Sequence, residues 1–525
     1  MIAKKKIYCG ILLLLLALIT FAQLLTLNSE IATMGFTIQH DEKLILPDAR
    51  SFYLGGNHDV KDYTQPVSAA FGILSPRIVE LGFRIFGFNN YGLRLPFVIF
   101  STISTLLFIL IMMRLCPNIV GFLISLLQLL NYRYFTLTRY AVSEDILILI
   151  ILALIWFYIA KRDFLIRHIN KAAFLAGALV LVKLNFPFYL FILLGSLAII
   201  ERFSVRNIIK LIIYSIVSVI FFYAIQALIL SSMGLLEAHL KNTMLGLVVY
   251  GGKEMTHFAT QTYTKPIAFL EVMPRYFELM RAWYLQGYVN TAIFFSHTKV
   301  IEANMVIGNL IFIATSVGIL LLLLKKKDLK TTCGFGIFLI CSLFISSRLL
   351  FYIKRILPFF PVTCIFFGSL YSEGLRSVQS QKVKEVVKYA AAAFLLLLLI
   401  TQVANQSKFL KALGPHIKSN RVEENSRAID KVLPPDSTVY MHCYGLRFFW
   451  QTKNRIISGD DQLLNNQMII DKALADKGKY LLLDPRGGEV KLKSGYGLKL
   501  LGRYMTDMAS AGYRINHQLL EIRKK

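Results

Sequence analysis

Charged side chains are scarce in this sequence, and acidic ones are the scarcest. Asp, Glu, Lys and Arg together make up 17% of the 525 residues, whereas hydrophobic residues make up 56%. A soluble protein of this length needs far more charge to cover its surface. The scarcity excludes an ordinary soluble protein and indicates a chain embedded in a membrane.

Cysteines are also few, and they show no metal-ligand spacing. Five of the six lie in or beside apolar segments, and one falls in a polar region, so the sequence predicts neither a disulfide framework nor a cysteine metal site. The six are Cys9, Cys116, Cys333, Cys341, Cys364 and Cys443.

Long apolar runs are abundant, and several reach the roughly 20 residues that cross a hydrocarbon core. The first is interpreted as a retained helix rather than a cleaved signal peptide, because no small-residue cleavage site follows it. We predict eleven membrane segments, at residues 7–27, 93–113, 117–134, 145–160, 172–183, 187–200, 211–231, 304–324, 332–347, 356–372 and 388–404.

The formal net charge of +27 would ordinarily suggest a nucleic-acid partner. Here most Lys and Arg fall in short loops between apolar runs, as the positive-inside rule predicts, and no nucleic acid is expected. Lys4, Lys5 and Lys6 place the N-terminus in the cytoplasm. Counting crossings then puts every strongly basic short loop on the same side. This count depends on a helix break at residues 183–187, because one continuous kinked helix over 172–200 would invert everything after it.

Four regions then lie outside the cytoplasm: residues 28–92, 135–144, 232–303 and 405–525. In the last, 438–444 and 479–484 are predicted strands and 466–477 a predicted helix. The fold class is mainly α, a polytopic helical membrane domain (1–404) followed by a small extracytoplasmic α/β domain (405–525). Its location is the cell (inner) membrane.

Carboxylates and cations recur on this outer face. Asp41 and Glu42 form an adjacent pair after the first helix, where a general base or a favourable helix start would both suit them. Glu144 and Asp145 stand directly before a membrane helix that Ser143 could instead cap. Among the outer cations, Lys183, Lys265, Arg348 and Arg355 would attract a phosphate, unless they reach for lipid headgroups.

These residues follow an order that resembles the GT-C glycosyltransferases, the group of the protein O-mannosyltransferases and the lipid A aminoarabinose transferase. The matching pieces are Asp41-Glu42, Ala49-Arg50, Tyr63-Thr64-Gln65-Pro66, Phe86-Gly87, Arg94-Leu95-Pro96, Arg139 to Glu144, Leu181-Val182-Lys183, and Tyr352 with Arg355 to Pro361. They cover about residues 30–370. Gln65 departs from the pattern, because many relatives have a phosphate-contacting Lys there.

The resemblance implies inverting transfer of a sugar from a polyprenyl-phosphate donor to an extracytoplasmic acceptor, which is a glycan, a lipid such as lipid A, or a protein hydroxyl. Asp41 would be the general base, with Glu42 and Glu144 in support. Lys183, with Arg348 or Arg355, would bind the donor phosphate. Further donor or acceptor contacts are expected from Arg139, Asp145, Tyr63, Lys265 and Tyr352.

Several alternatives stay open. The chain could be a transporter or flippase of a lipid-linked saccharide, a polymerase or ligase that uses a pyrophosphate-linked glycan, or a scaffold whose tail binds a partner. No cofactor is certain, and the outer carboxylates could hold a divalent cation or act without one. In the tail, Tyr444, Arg447, Trp450 and Asp484 could contact a glycan, although Tyr444 and Trp450 suit the core of a small fold better.

Overall fold

The structure is a computed structural model. It describes residues 2–27, 39–55, 72–130, 141, 143–237, 239–240, 334–339, 359–413, 421–442, 449–459, 466–484, 488, 490–492, 494–508 and 513–524. The helices are α1 (Ile2–Leu25), α2 (Gln39–Gly55), α3 (Leu74–Phe86), α4 (Asn90–Leu115), α5 (Ile119–Leu129), α6 (Glu144–Ala160), α7 (Arg162–Arg167), α8 (Ile169–Gly177), α9 (Phe186–Ile200), α10 (Val205–Ser232), α11 (Phe359–Ser377), α12 (Gln381–Leu413), α13 (Arg421–Val432) and α14 (Asn466–Ala475).

Three stretches of the described chain are long and apolar enough to cross a membrane: Lys5–Leu25, Asn90–Leu115 and Val205–Ser232. Large apolar side chains on the first and last of these face outward, as a lipid environment favours. Shorter apolar helices occupy Ile119–Leu129, Ile169–Leu181 and Phe186–Ile200. The count of eleven spans stays a prediction, because segment 304–324 and most of 332–347 lie outside the described residues.

The predicted break at Lys183 is present. A short 3-10 turn, Ala178–Leu181, follows α8, and α9 begins at Phe186 with Pro187 in its first turn. Proline suits that position because its missing N–H would have no partner there. Helices α8 and α9 pack against each other, which the two halves of one kinked helix could not do. The chain therefore turns back on itself at this break.

The chain forms two compact units. The first comprises residues 1–25, 97–226 and 261–412. In its core, α1, α4 and α5 meet through Leu12, Ile109 and Leu123, among other apolar side chains. Gly177 of α8 faces Ser218 of α10 so closely that an added Cβ would lie 1.5 Å from the Ser218 hydroxyl oxygen. Only glycine permits that helix contact.

The second unit comprises residues 26–96, 227–260 and 413–525. Helices α2 and α3 pack together in it. Its five-stranded sheet has the order β2-β1-β3-β5-β4, with β1 (Thr438–His442), β2 (Arg455–Gly459), β3 (Tyr480–Leu483), β4 (Tyr496–Met508) and β5 (Tyr513–Lys524). Strands β2, β1 and β3 run parallel, and β5 is antiparallel to β3 and β4.

Helix α14 makes the crossover between β2 and β3, and its Ile470 packs on Tyr440 and Leu481 of the sheet. The two predicted strands and the predicted helix of the tail are thus observed as β1, β3 and α14. The division at residue 404 and the extracytoplasmic position of the tail stay predictions.

Candidate functional site

The acidic pair Asp41-Glu42 lies in the first turn of α2, in the second unit. Negative side chains are favoured there by the helix dipole, so the position by itself has a structural explanation. The side chains of both residues lie outside the described part, and their proposed chemistry therefore stays a prediction.

Asp48 is a carboxylate on the same helix that the sequence reasoning missed. It is seven residues after Asp41, which places the two on one face of α2, two turns apart. Its side chain is buried, and that burial raises the pKa of the Asp48 carboxyl from 3.8 to about 7. The seven-residue spacing from Asp41, about two helical turns, was the feature of the sequence that could have identified Asp48. Helix α2 thus carries three carboxylates, one of which titrates near neutral pH.

In the first unit, the structure brings together two predicted residues from distant parts of the sequence. Glu144 opens α6, and Lys183 lies in the break before α9. The Lys183 Nζ donates to Glu144 Oε1 at 2.6 Å, with the two side chains 6% and 2% exposed. The same Nζ lies 5.4 Å from the centre of the Phe186 ring. An ion pair this deeply buried loses most of its hydration, so each partner depends on the other.

Asp145, which follows Glu144 in the chain, is also buried, and no described residue forms an ion pair with it. Among the described residues, neither of its carboxylate oxygens has a hydrogen-bond partner, and the same is true of Glu144 Oε2. Buried polar groups in folded proteins are nearly always satisfied, and a group of unsatisfied oxygens is typical of a place where a ligand supplies the missing donors.

The alternative in which Ser143 caps α6 with its side chain is wrong. Ser143 has helical backbone angles and makes no side-chain capping bond to this helix. Serine caps a helix from an extended conformation, which points its hydroxyl at the free N–H groups. Glu144 and Asp145 are thus not accounted for as parts of a serine cap.

The other predicted site residues lie outside the described residues. They are Arg139, Arg348, Arg355, Tyr63, Lys265 and Tyr352, together with Tyr444 and Arg447 of the tail. Within the described ranges, no three His, Cys, Asp or Glu residues stand close enough together to hold a metal ion. Glu144, Asp145 and Lys183 belong to the first unit, and α2 belongs to the second.

Trp450 is a core residue, as its sequence context favoured. It is buried, and its ring stacks on Phe83 with the ring centres 5.7 Å apart. Asp484 is buried at the end of β3, where its backbone carbonyl accepts the Asn466 side-chain amide at 2.8 Å. Neither side chain is exposed to meet a glycan at the surface of the tail.

No family model matches the sequence, and no curated protein matches it. Solved structures do match its fold, and two of them are crystal structures of one protein. The first is the crystal structure of ArnT from Cupriavidus metallidurans bound to undecaprenyl phosphate, with a TM-score of 0.53, 10% identity and 97% of each chain covered. The second is the same protein in the apo state, with a TM-score of 0.51, 10% identity, and 97% of this chain and 98% of that one covered.

The chain has the ArnT fold. ArnT is the lipid A aminoarabinose transferase, of the GT-C fold, so the fold expected from the ordered motifs is confirmed. The coverage extends through the helical part and the tail alike. At 10% identity the likeness is one of fold, and it leaves the chemistry of the chain to its own residues.

Proposed function

We propose that this chain is an integral membrane glycosyltransferase that moves a sugar from a polyprenyl-phosphate donor to an extracytoplasmic acceptor. The observation that carries the proposal is the buried Lys183–Glu144 pair with the unmatched Asp145 beside it, set in the ArnT fold. One of the matching ArnT structures is bound to undecaprenyl phosphate, which supports a donor of that lipid class.

The proposed reaction needs a base for the acceptor and cations for the leaving group. The acceptor oxygen forms a bond to the anomeric carbon, and the bond from that carbon to the phosphate oxygen breaks, leaving its electron pair on the phosphate. The acceptor proton passes to a carboxylate, for which we propose Asp41, with Glu42 beside it. Attack opposite the leaving phosphate inverts the anomeric carbon.

Lys183 is proposed to stabilise the charge that develops on the departing phosphate. It does not act alone, because Glu144 already holds its ammonium in a buried ion pair. A phosphate group beside two carboxylates needs further cations, and Arg348 and Arg355 are the proposed sources. Glu144 holds the Lys183 ammonium in place, and Asp145 is left to accept hydrogen bonds from sugar hydroxyls.

The protein is proposed to lie in the cell (inner) membrane, with the N-terminus in the cytoplasm and the tail outside it. Its acceptor would be lipid A, another envelope glycan or a protein hydroxyl. Mass spectrometry of envelope glycolipids and glycoproteins, with and without the gene, reads the transferred sugar and the acceptor together.

The assignment of Asp41 as base is tested by Asp41→Asn, which keeps the shape of the side chain and removes its basicity. Transfer by the purified protein in lipid nanodiscs should fall by at least about a hundredfold, as expected for loss of a general base. Asp163→Asn, on the exposed helix α7, is the matched control and should transfer as wild type does. A fully active Asp41→Asn protein would remove Asp41 from the mechanism.

A further inference from the structure

Arg50 is the largest fully buried side chain among the described residues, and it belongs to the helix that carries the acidic pair. Its guanidinium donates through Nη1 to the backbone carbonyl of Trp450 and through Nη2 to that of Asn454. These partners are 400 and 404 residues away in the sequence, in the turn between β1 and β2. Because both donors belong to one planar guanidinium, the two hydrogen bonds fix the orientation of the Arg50 side chain as well as its distance from the turn.

The turn that receives Arg50, residues 449–454, is itself held by the carboxylate of Asp430 on α13. Asp430 accepts from the Thr452 hydroxyl, from the Lys453 backbone N–H at 3.1 and 3.2 Å, and from the Asn454 side-chain amide at 2.8 Å. One carboxylate with this many donors sets the conformation of the whole turn. The carbonyls of Trp450 and Asn454 consequently point at Arg50.

Aromatic rings also contribute to the contact between α2 and the turn 449–454. The Trp450 ring stacks on Phe83 and meets Phe88 edge-on at 5.4 Å, while Tyr53 of α2 stacks on Phe88 at 5.1 Å. The Arg50 guanidinium lies 5.7 Å from the Phe88 ring centre. All these residues belong to the second unit. The turn is thus bound to α2 and α3 by hydrogen bonds at its backbone and by stacking at its tryptophan.

We infer that Arg50 is a positioning residue, which, through the turn 449–454 and Asp430 behind it, lets the C-terminal part of the chain hold α2 and its acidic pair in place. This inference rests on the proposed function. Asp41 precedes Arg50 by nine residues, about 14 Å along a helix axis. Pro47 lies between the two positions and removes one backbone hydrogen bond of α2, so the constraint set at Arg50 reaches the first turn through the remaining hydrogen bonds of the helix. Misplacement of a reacting group by about 1 Å can cost about a hundredfold in rate.

The test compares Arg50→Gln and Asp430→Asn with two exposed controls on the same domain, Arg427→Gln and Asp436→Asn. Hydrogen exchange and steady-state transfer are measured on the full-length proteins in nanodiscs. We expect the α2 amides to exchange at least about tenfold faster in both test variants while β1 and β3 keep wild-type protection, because only the fastening of α2 is lost.

In transfer assays, kcat should fall about a hundredfold in Arg50→Gln and about tenfold in Asp430→Asn, with the KM for the donor within about twofold of wild type. Arg50→Lys keeps one of the two hydrogen bonds and should recover part of kcat. The controls should match wild type in every reading. Asp430→Asn, with a nearly isosteric side chain, serves if Arg50→Gln does not fold.

Two results would overturn the inference. One is an α2 that exchanges as in wild type in both test variants. The other is equal acceleration of α2 and of the β1 and β3 amides, which would mean that the turn supports only overall stability. If the wild-type protein transfers no sugar from any donor, the proposed function fails, and the exchange data still decide whether Arg50 and the turn fasten α2.

Discussion

The two buried cations that stand out in this molecule, Lys183 in the first unit and Arg50 in the second, are satisfied in opposite ways. Lys183 forms an ion pair with Glu144, and the adjacent Asp145 has no hydrogen-bond partner in the part of the chain that the structure describes. Arg50 donates to two backbone carbonyls of the turn 449–454 and lies near the Phe88 ring. Asp430 accepts hydrogen bonds from the same turn. Among the described residues, the first cluster leaves three carboxylate oxygens without a hydrogen-bond partner, whereas the turn of the second leaves one side-chain nitrogen, that of Gln451, and no carboxylate oxygen.

This contrast separates two uses of a buried charge. A satisfied network fixes structure, since it leaves nothing for a ligand to supply. An unsatisfied one costs free energy in the resting protein, and that cost is recovered when a ligand brings the missing partners. The cluster at Lys183 is thus suited to chemistry, and the cluster at Arg50 to holding a helix. Substitutions in each cluster test this distinction.

The largest loss of stability is expected from Lys183→Met. It leaves Glu144 buried without its ion partner, which costs about 3–5 kcal/mol in comparable cases. Thermal unfolding in detergent should show a clear fall in the midpoint, and Lys161→Met, at an exposed position, should show none. The double variant Lys183→Met with Glu144→Gln should recover most of the loss. No recovery would mean that the two side chains do not stabilise each other.

A smaller and pH-dependent effect is expected from Asp48→Asn. Because burial raises the pKa of Asp48 to about 7, the protonated form suits the folded state. Its contribution to stability is complete below the unfolded pKa, near 3.8, and is lost as the pH rises through about 7. An asparagine at position 48 does not ionise, so the variant does not lose this stability as the pH rises. The variant should be the more stable protein at pH 8, by at most about 4 kcal/mol.

The advantage of Asp48→Asn should shrink as the pH is lowered from 8 to 5, which thermal unfolding at a series of pH values reads directly. Asp471→Asn, on the surface helix α14, controls for a general effect of removing one negative charge. A difference from wild type that is independent of pH would contradict the assigned burial of Asp48.

The smallest change in stability, with a large loss of function, is expected from Asp145→Asn. The substitution keeps the shape of a buried side chain to which no described residue donates a hydrogen bond, so stability should stay the same or rise by about 1 kcal/mol. Transfer should fall at least about tenfold, because the acceptor for sugar hydroxyls is altered. Unfolding midpoints and initial rates, measured on the same preparation, test both halves. A destabilised but active variant would place Asp145 with the structural charges.

The apolar runs and basic loops of the sequence were enough to predict most of the described helices. Pro187, beside polar Lys183 and Asn185, was enough to predict the break before α9. The pairing of Lys183 with Glu144 was anticipated only as two members of a resembling motif set. Sequence spacing alone could not predict this ion pair, since the contact of the two side chains depends on how α6 and the break pack together.

The second unit was less readable. The burial of Arg50 depends on a turn 400 residues away, and no local pattern records such a partner. Asp48 was not singled out, because its burial also comes from tertiary packing. Strands β4 and β5 were not predicted. An irregularity between Leu500 and Gly502 shifts the register of β4, which interrupts the alternation by which strands are recognised.

A comparison of two donors tests whether this chain transfers a sugar from a lipid monophosphate. Purified wild-type protein in nanodiscs is given a monosaccharide polyprenyl phosphate or a pyrophosphate-linked oligosaccharide, with an envelope extract that contains lipids, glycans and proteins as acceptor, and mass spectrometry follows the free lipid phosphate and the glycosylated product. The account predicts that both appear together, from the monophosphate donor alone, and are absent with Asp41→Asn. Product from the pyrophosphate donor alone, or from neither donor, would contradict it.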